Sequence, residues 1–371
     1  MSTSKDLGGR VYRQAIADNR VLEGLERFPT FDELSEEFPD DRVPYLDRRD
    51  IDEASLTPNQ KHWRDQGYVL LEGFLPEDLV DAYLDLRQRC GIGIAGWGTP
   101  VPYLYFREIR DLTCFAPLAD VLRELIGTDM GMHFNIPMFQ ATERYWHQDD
   151  YLNPDDTLSW YAAVWMALGD IHPDCGPYEY VPMSHKWPCM RSSKVKAFLK
   201  PEARDVFSGP EGHWAQHAEV FTNPAYLAKL EDSGLDVRRF LGKKGDVLIW
   251  HGKLLHRGSN ARNPEIPRPA LITHYSAIDR RKDLGGTVRR HGHGGYYWDF
   301  PEPSLGGFWP DAINMDRLVR DAYVLRAEND RLKASVEASY RRTLVALARK
   351  GRSWLARHRR TAHEGASTAH E

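Results

Sequence analysis

Hydrophobic and polar positions fall into three textures along the 371-residue chain. Residues 1–55 are polar and acid-rich, with Asp32-Glu33, Glu36-Glu37 and Asp40-Asp41, and read as a loosely structured N-terminal extension with a short helix. The texture changes at Thr57-Pro58. Proline fits the first helical position, so Thr57 is expected to cap a helix that runs through Trp63. GYVLLEGFL (67–75) reads as a buried strand bounded by glycine. PEDLVDAYLDLRQRC (76–90) sets Leu79, Tyr83 and Leu86 at helical spacing, and 116–127 reads as a further helix. From about 130 to 280 the runs are short, aromatic and β-branched: MHFNIPMFQ, ERYWHQD, SWYAAVWMAL, YEYVPM, DVLIWHG and PALITHYSAI. Turn signals at Pro173, Gly176-Pro177 and Gly242–Gly245 separate them, which predicts a β-sandwich or barrel-like core.

Two segments break this β texture. Residues 186–241 are helix-like and turn-rich, and an insertion of that length inside a strand core is usually a lid or a substrate wall. From 311 onward the chain reads as helical. Leu318, Leu325 and Leu332 are seven apart, with Ala322, Asn329 and Val336 four positions on from each. That pattern over 318–336 suits a homodimeric coiled coil or a single helix packed on the core. Residues 338–363 carry eight Lys/Arg and no Asp or Glu, with Leu344, Leu347 and Leu355 on an apolar side. Such a helix suits an anionic membrane surface, although a solvated helix end is the plainer reading.

Composition narrows the class. Lys+Arg 49 against Asp+Glu 54 gives a net charge of -5, a poor balance for general nucleic-acid binding, and no aromatic platform interleaves with the basic residues. Cys90, Cys114, Cys175 and Cys189 form no C-x-x-C pair, so a zinc ribbon or thioredoxin-type site is not expected. The N-terminus lacks a signal-type apolar core, and no stretch approaches the roughly 18 apolar residues of a membrane span. These features predict a cytoplasmic protein with reduced thiols.

The segment ERYWHQDDYLN carries the most chemistry. It sets His147 and Asp149 two residues apart at the end of an expected strand, where i and i+2 share a face. An imidazole and a carboxylate on one face are two-thirds of a facial metal triad. A distant histidine would complete it, and DVLIWHGKLLHRGSN offers His251 and His256. The two differ by five and would point to opposite sides of a continuous strand. Two histidines and one carboxylate suit ferrous iron and leave open positions. Arg268 follows His256 by twelve residues at the start of the PALITHYS strand, on the same face as Ala270, Ile272 and His274. A guanidinium there can grip a carboxylate through two parallel N–H bonds.

In that order these parts resemble the phytanoyl-CoA dioxygenase family of Fe(II)/2-oxoglutarate oxygenases, over roughly residues 60–280. The resemblance rests on HWRDQGYVLLEGFLPEDLV, YWHQDD, CGPYEYVPMSHKW and LIWHGKLLHRGSN…RPALITHYS. It implies a double-stranded β-helix (jelly-roll, cupin-like) core with buttressing helices, spanning 56–310, between the 1–55 extension and a helical tail over 311–371. It implies that His147, Asp149 and His256 bind iron and that Arg268 holds the far carboxylate of 2-oxoglutarate. Trp165 would lie beside that cosubstrate, and Ser259 would add a hydroxyl contact. Where the family usually has Pro-Gly-Ser-His, this chain has Pro182-Met183-Ser184-His185, which alters a turn but no ligand.

The implied activity is hydroxylation of an unactivated C–H of a small-molecule metabolite, consuming 2-oxoglutarate and O2 and releasing succinate and CO2. Related halogenases lack the carboxylate that Asp149 supplies. The alternatives are a non-catalytic β-helix that binds a small molecule or scaffolds a partner, and a zinc metallohydrolase with the same ligands. His185 reads as a structural hydrogen-bonding residue. Asp150 should face away from Asp149, and HGHGGYYWDF (291–300) reads as a surface loop, with a substrate-side loop as the alternative. Trp146, Trp160 and Trp250 read as core.

Overall fold

A computed structural model describes residues 27–90, 92, 97, 101–141, 144–199, 214–300 and 336. Residues 1–314 and 315–371 form separate units. The expected helical extension at 311–371, with the 318–336 and 338–363 segments, lies outside the described residues, Val336 excepted.

Helix α1 (Pro58–Gln66) starts as its sequence requires. Thr57 accepts from the Gln60 N–H while the Gln60 side chain accepts from the Thr57 N–H, a reciprocal capping box, and Pro58 opens the first turn. Strand β1 (Tyr68–Leu71) and helix α2 (Glu77–Arg89) follow. Helix α2 has Glu77 and Asp78 at its positive end, Arg87 and Arg89 at its negative end, and a buried stripe at Val80, Tyr83 and Leu86. Helices α3 (Arg107–Thr113) and α4 (Ala116–Ile126) lead into β2 (Met130–Pro137).

The remaining strands divide between two sheets. They are β3 (Tyr161–Ala167), β4 (Tyr178–Tyr180), β5 (Arg238–Phe240), β6 (Val247–His251), β7 (His256–Gly258), β8 (Ala270–Ala277), β9 (Thr287–Arg290) and β10 (Tyr296–Asp299). Among the described residues the large sheet has seven strands in the order β9-β10-β2-β8-β3-β6-β1, mixed because β10 runs parallel to β2. The small sheet has the order β5-β4-β7 and is antiparallel. Tyr178, Tyr180 and Phe240 of the small sheet share one buried cluster with Trp165, Leu248, Trp250 and Ile272 of the large sheet. The site sits between these two inner faces. Full burial of each such side chain contributes roughly 1.5–3 kcal/mol.

Several expectations need correction. ERYWHQD is not a strand: His147 makes an isolated bridge to His256, and Asp149 opens a 3-10 turn, Asp149–Leu152. His251 and His256 do not share a continuous strand, since β6 ends at one and β7 begins at the other. The described residues of 186–241 include two helices, α5 (Ser192–Phe198) and α6 (Trp214–Ser233), as the helix-like sequence suggests, but the end of the segment supplies β5, a strand of the small sheet. The described part of 1–55 is docked rather than loose. Phe31 and Leu34 pack with Phe221 and Tyr226 of α6, and Ser35–Glu36 pairs with Cys189–Met190.

Candidate metal centre and anion pocket

The His147–His256 bridge builds the centre. Each residue donates its backbone N–H to the other's carbonyl at 3.0 Å, and the two rings stand 4.1 Å apart on one side. The chain then tightens into the 3-10 turn, which brings Asp149 Oδ1 to 3.6 Å from His147 Nε2 and 3.5 Å from His256 Nε2. A bridge followed by one tight turn thus achieves the shared face that strand alternation was expected to provide. All three side chains are buried and could hold a metal ion.

Hydrogen bonds around the triad fix which atoms face inward. His147 Nδ1 lies 2.6 Å from Tyr145 O, and His256 Nδ1 lies 2.8 Å from Leu254 O. A carbonyl only accepts, so each Nδ1 carries the proton and each Nε2 lone pair points at Asp149. Burial, then the charges of His256 and Arg144, hold the His147 pKa well below its ordinary value; burial also lowers that of His256. Both rings are therefore neutral near pH 7, the form that ligates metal. Asp149 Oδ2 accepts from Trp250 Nε1 at 2.9 Å, which leaves Oδ1 for the centre. Two imidazole lone pairs and a carboxylate oxygen with no hydrogen between them repel unless a cation sits among them. The donor set fits Fe(II), and no thiol joins it.

Arg268 is fully buried just ahead of β8. It donates through Nε to Met138 O (3.3 Å), through Nη2 to Gln140 O (3.1 Å) and through Nη1 to Gly176 O. Gly176 serves this contact because it has φ +80, and a Cβ there would lie 2.6 Å from Ser259 O. Burial lowers the Arg268 pKa to about 10, so the guanidinium stays charged at neutral pH. Among the described residues no carboxylate bonds to it, and three backbone contacts leave N–H donors over. A buried cation without an acid is costly and calls for an anion.

Aromatic rings connect Arg268 to the triad. Its guanidinium lies 5.0 Å over Trp165, Trp165 is 5.1 Å from Tyr178, and Tyr178 is 5.3 Å from His256. Trp165 Nε1, Tyr178 Oη and His274 Nε2 are buried and have no hydrogen-bond partner among the described residues. Burial lowers the His274 pKa to about 4, so its ring is neutral. Ser259 donates its hydroxyl to Pro177 O at 2.5 Å, which uses its proton inside the small sheet.

The remaining candidates separate cleanly. His251 lies within 3.1 Å of both Asp47 oxygens, away from the triad, and accepts the Lys253 N–H at its other nitrogen. His185 bonds to Arg64 O at 3.0 Å. Asp150 accepts from Ser159 and is pushed up to about 6 by burial. Three contributors were not foreseen. Trp250 reads as core in the sequence, yet a buried indole N–H usually seeks an acceptor, which is the available signal. Gln148, between two triad residues, is strapped to Pro188 O, Lys253 O and the Met190 N–H. Arg144 pairs with Glu219 of α6 at 3.1 Å.

Residues 105–270 match the model of the phytanoyl-CoA dioxygenase family. A curated relative is the probable alpha-ketoglutarate-dependent hypophosphite dioxygenase of Stutzerimonas stutzeri, 22% identical over 250 residues, covering 61% of this chain and 80% of that protein. Two solved structures are also similar. One is the non-heme alpha-ketoglutarate-dependent epimerase SnoN of nogalamycin biosynthesis, at 21% identity and TM-score 0.44 over 61% of this chain and 84% of that one. The other is apo EctD from S. alaskensis, at 20% identity and TM-score 0.46 over 68% of this chain and 89% of that one. Among the described residues no helix is long and apolar enough to cross a membrane.

Proposed function

We propose that this chain is an Fe(II)- and 2-oxoglutarate-dependent dioxygenase that hydroxylates an unactivated C–H of a small-molecule metabolite. One observation carries the reading: three inward-facing ligand atoms of His147, Asp149 and His256 share a buried interior with a charged Arg268 that has no acid partner among the described residues. In this reading the two sheets are the walls of a double-stranded β-helix, with 56–310 as the catalytic domain.

His147, Asp149 and His256 would hold iron on one face. Iron, when bound, supplies the activation of dioxygen at the positions these residues leave open. Arg268 would take the distal carboxylate of 2-oxoglutarate through its unused N–H groups, and its three carbonyl contacts fix the fork before the cosubstrate arrives. Trp165 and Tyr178 wall the path and exclude water, and their unpartnered polar atoms offer hydrogen bonds to a polar guest. Ser259 Oγ retains lone pairs for one further contact. Asp149 fills the position that a halide would need, which favours hydroxylation. Purified chain supplied with Fe(II), 2-oxoglutarate and O2 should release succinate, and candidate metabolites should stimulate it. No succinate with any one of a broad metabolite set, with Fe(II) bound, would favour the non-catalytic alternative.

A further inference from the structure

A second cluster of metal-ligating side chains lies outside this centre. The HGHGG turn joins β9 to β10, and it presses onto the end of α3. The Gly295 N–H donates to Cys114 O at 2.7 Å, and a Cβ on Gly295 would itself lie 2.7 Å from that oxygen. Gly294 turns with φ +110. Only glycines permit this approach, and it carries His291 and His293 over Asp111 of α3. His291 Nε2 is 3.3 Å and His293 Nε2 is 3.8 Å from Asp111 Oδ1, and the three atoms all lie within 4.8 Å of one another. Asp111 Oδ2 faces Arg107 at 3.1 Å, whereas Oδ1 is buried with no hydrogen-bond partner among the described residues.

We propose that Asp111, His291 and His293 form a second divalent-cation site, for zinc, that clamps the β9–β10 hairpin onto α3. Ligands at about 2.0–2.1 Å in a tetrahedron stand roughly 3.3 Å apart, close to the contacts already present. Two imidazoles with one carboxylate are borderline ligands that zinc accepts, and water fills the remaining position because His293 is 39% exposed. The His293 N–H approaches His291 Nδ1 at 3.4 Å, a long contact, so moving the His291 proton from Nε2 to Nδ1 to free the ligand lone pair breaks little. The hairpin forms the edge of the large sheet and packs Trp298 against His133 and Gly131. A bound ion would therefore rigidify that edge without entering the oxygenase centre.

The test uses the full-length chain carrying His147→Ala, which removes the central triad from the count. Stripped of metal and dialysed against zinc, it should bind zinc, and amides of 287–299 should exchange hydrogen more slowly when zinc is added. Adding His293→Ala should remove one equivalent and abolish that protection. Asp111→Asn, which keeps the shape, should weaken zinc binding at this site by tenfold or more. Unchanged zinc stoichiometry in the His293→Ala background, or zinc-induced protection that survives there, overturns the proposal. In wild-type chain, His293→Ala should leave 2-oxoglutarate turnover unaltered, so failure of this site is separable from failure of the oxygenase reading.

Discussion

Among the described residues two clusters pair two histidines with one aspartate, and they differ in what surrounds the same three side chains. At the centre both imidazoles are oriented by backbone carbonyls, and the carboxylate is oriented by an indole N–H. At the rim the corresponding carboxylate oxygen faces Arg107, one imidazole is 39% exposed, and the other has its Nδ1 against a backbone N–H. Ligand identity is therefore the smaller part of a metal site. The atoms behind the ligands decide the tautomer, the burial and the rigidity. A preset, dry cluster beside a buried guanidinium suits catalysis, and an open, unpinned one suits a clamp.

The sharpest test of this contrast lies at the anion pocket, which the rim lacks. Arg268→Ala should raise the 2-oxoglutarate concentration needed for half-maximal turnover by roughly 100-fold, because a buried charge-assisted pair is lost. Steady-state titration measures it, and an unchanged requirement would remove Arg268 from the site. Next is the support behind the carboxylate. Trp250→Phe keeps the ring but deletes the hydrogen bond to Asp149 Oδ2, and Fe(II) affinity by titration should fall about 10–100-fold. An affinity within twofold of wild type would mean that Asp149 orients itself.

His251 gives a third arrangement of histidine and aspartate. Both its nitrogens are engaged, with Asp47 on one and the Lys253 N–H on the other, so it has no lone pair for metal. Its role is to hold the N-terminal segment. Burial would raise the Asp47 pKa, but its interaction with His251, which donates to it, and the charge of Lys253 outweigh burial and the pKa is lowered. A depressed carboxyl contributes stability above its unfolded pKa of about 4 and loses that contribution as pH falls through the folded value. Asp47→Ala should cost about 3 kcal/mol near pH 7, with the difference shrinking below about pH 4. Denaturant melts at several pH values read this, and a pH-independent difference would contradict it.

Much of this was legible in the sequence. The H-x-D and the downstream histidine name side chains that the fold does bring together, the arginine twelve residues on is buried beside them, and strands such as SWYAAVWMAL announce themselves by unbroken apolar runs. What escaped was set by contacts distant in sequence. The ERYWHQD run is aromatic like a strand, but its one ladder partner is the His256 backbone. The RRF strand of the small sheet hides in the insertion because it is three residues long and carries two arginines, of which Arg239 pairs with Glu179 and Arg238 donates to the Tyr68 hydroxyl. In sequence Met183 alters a turn but no ligand, and in the fold it sits at φ +70, where glycine is at ease. Met183→Gly should therefore stabilise the protein by about 0.5–1 kcal/mol, the smallest effect predicted here, visible as a rise in Tm. A fall in Tm would show that the Met183 side chain makes contacts worth more than the strain.

One anaerobic titration tests the central claim most directly. Adding Fe(II) and then 2-oxoglutarate to the metal-free protein should produce the weak visible charge-transfer band of a keto acid chelated to iron. The band should be absent in Asp149→Ala and should need far more 2-oxoglutarate in Arg268→Ala. No band in the wild-type protein, or an equal band in Asp149→Ala, would contradict the account.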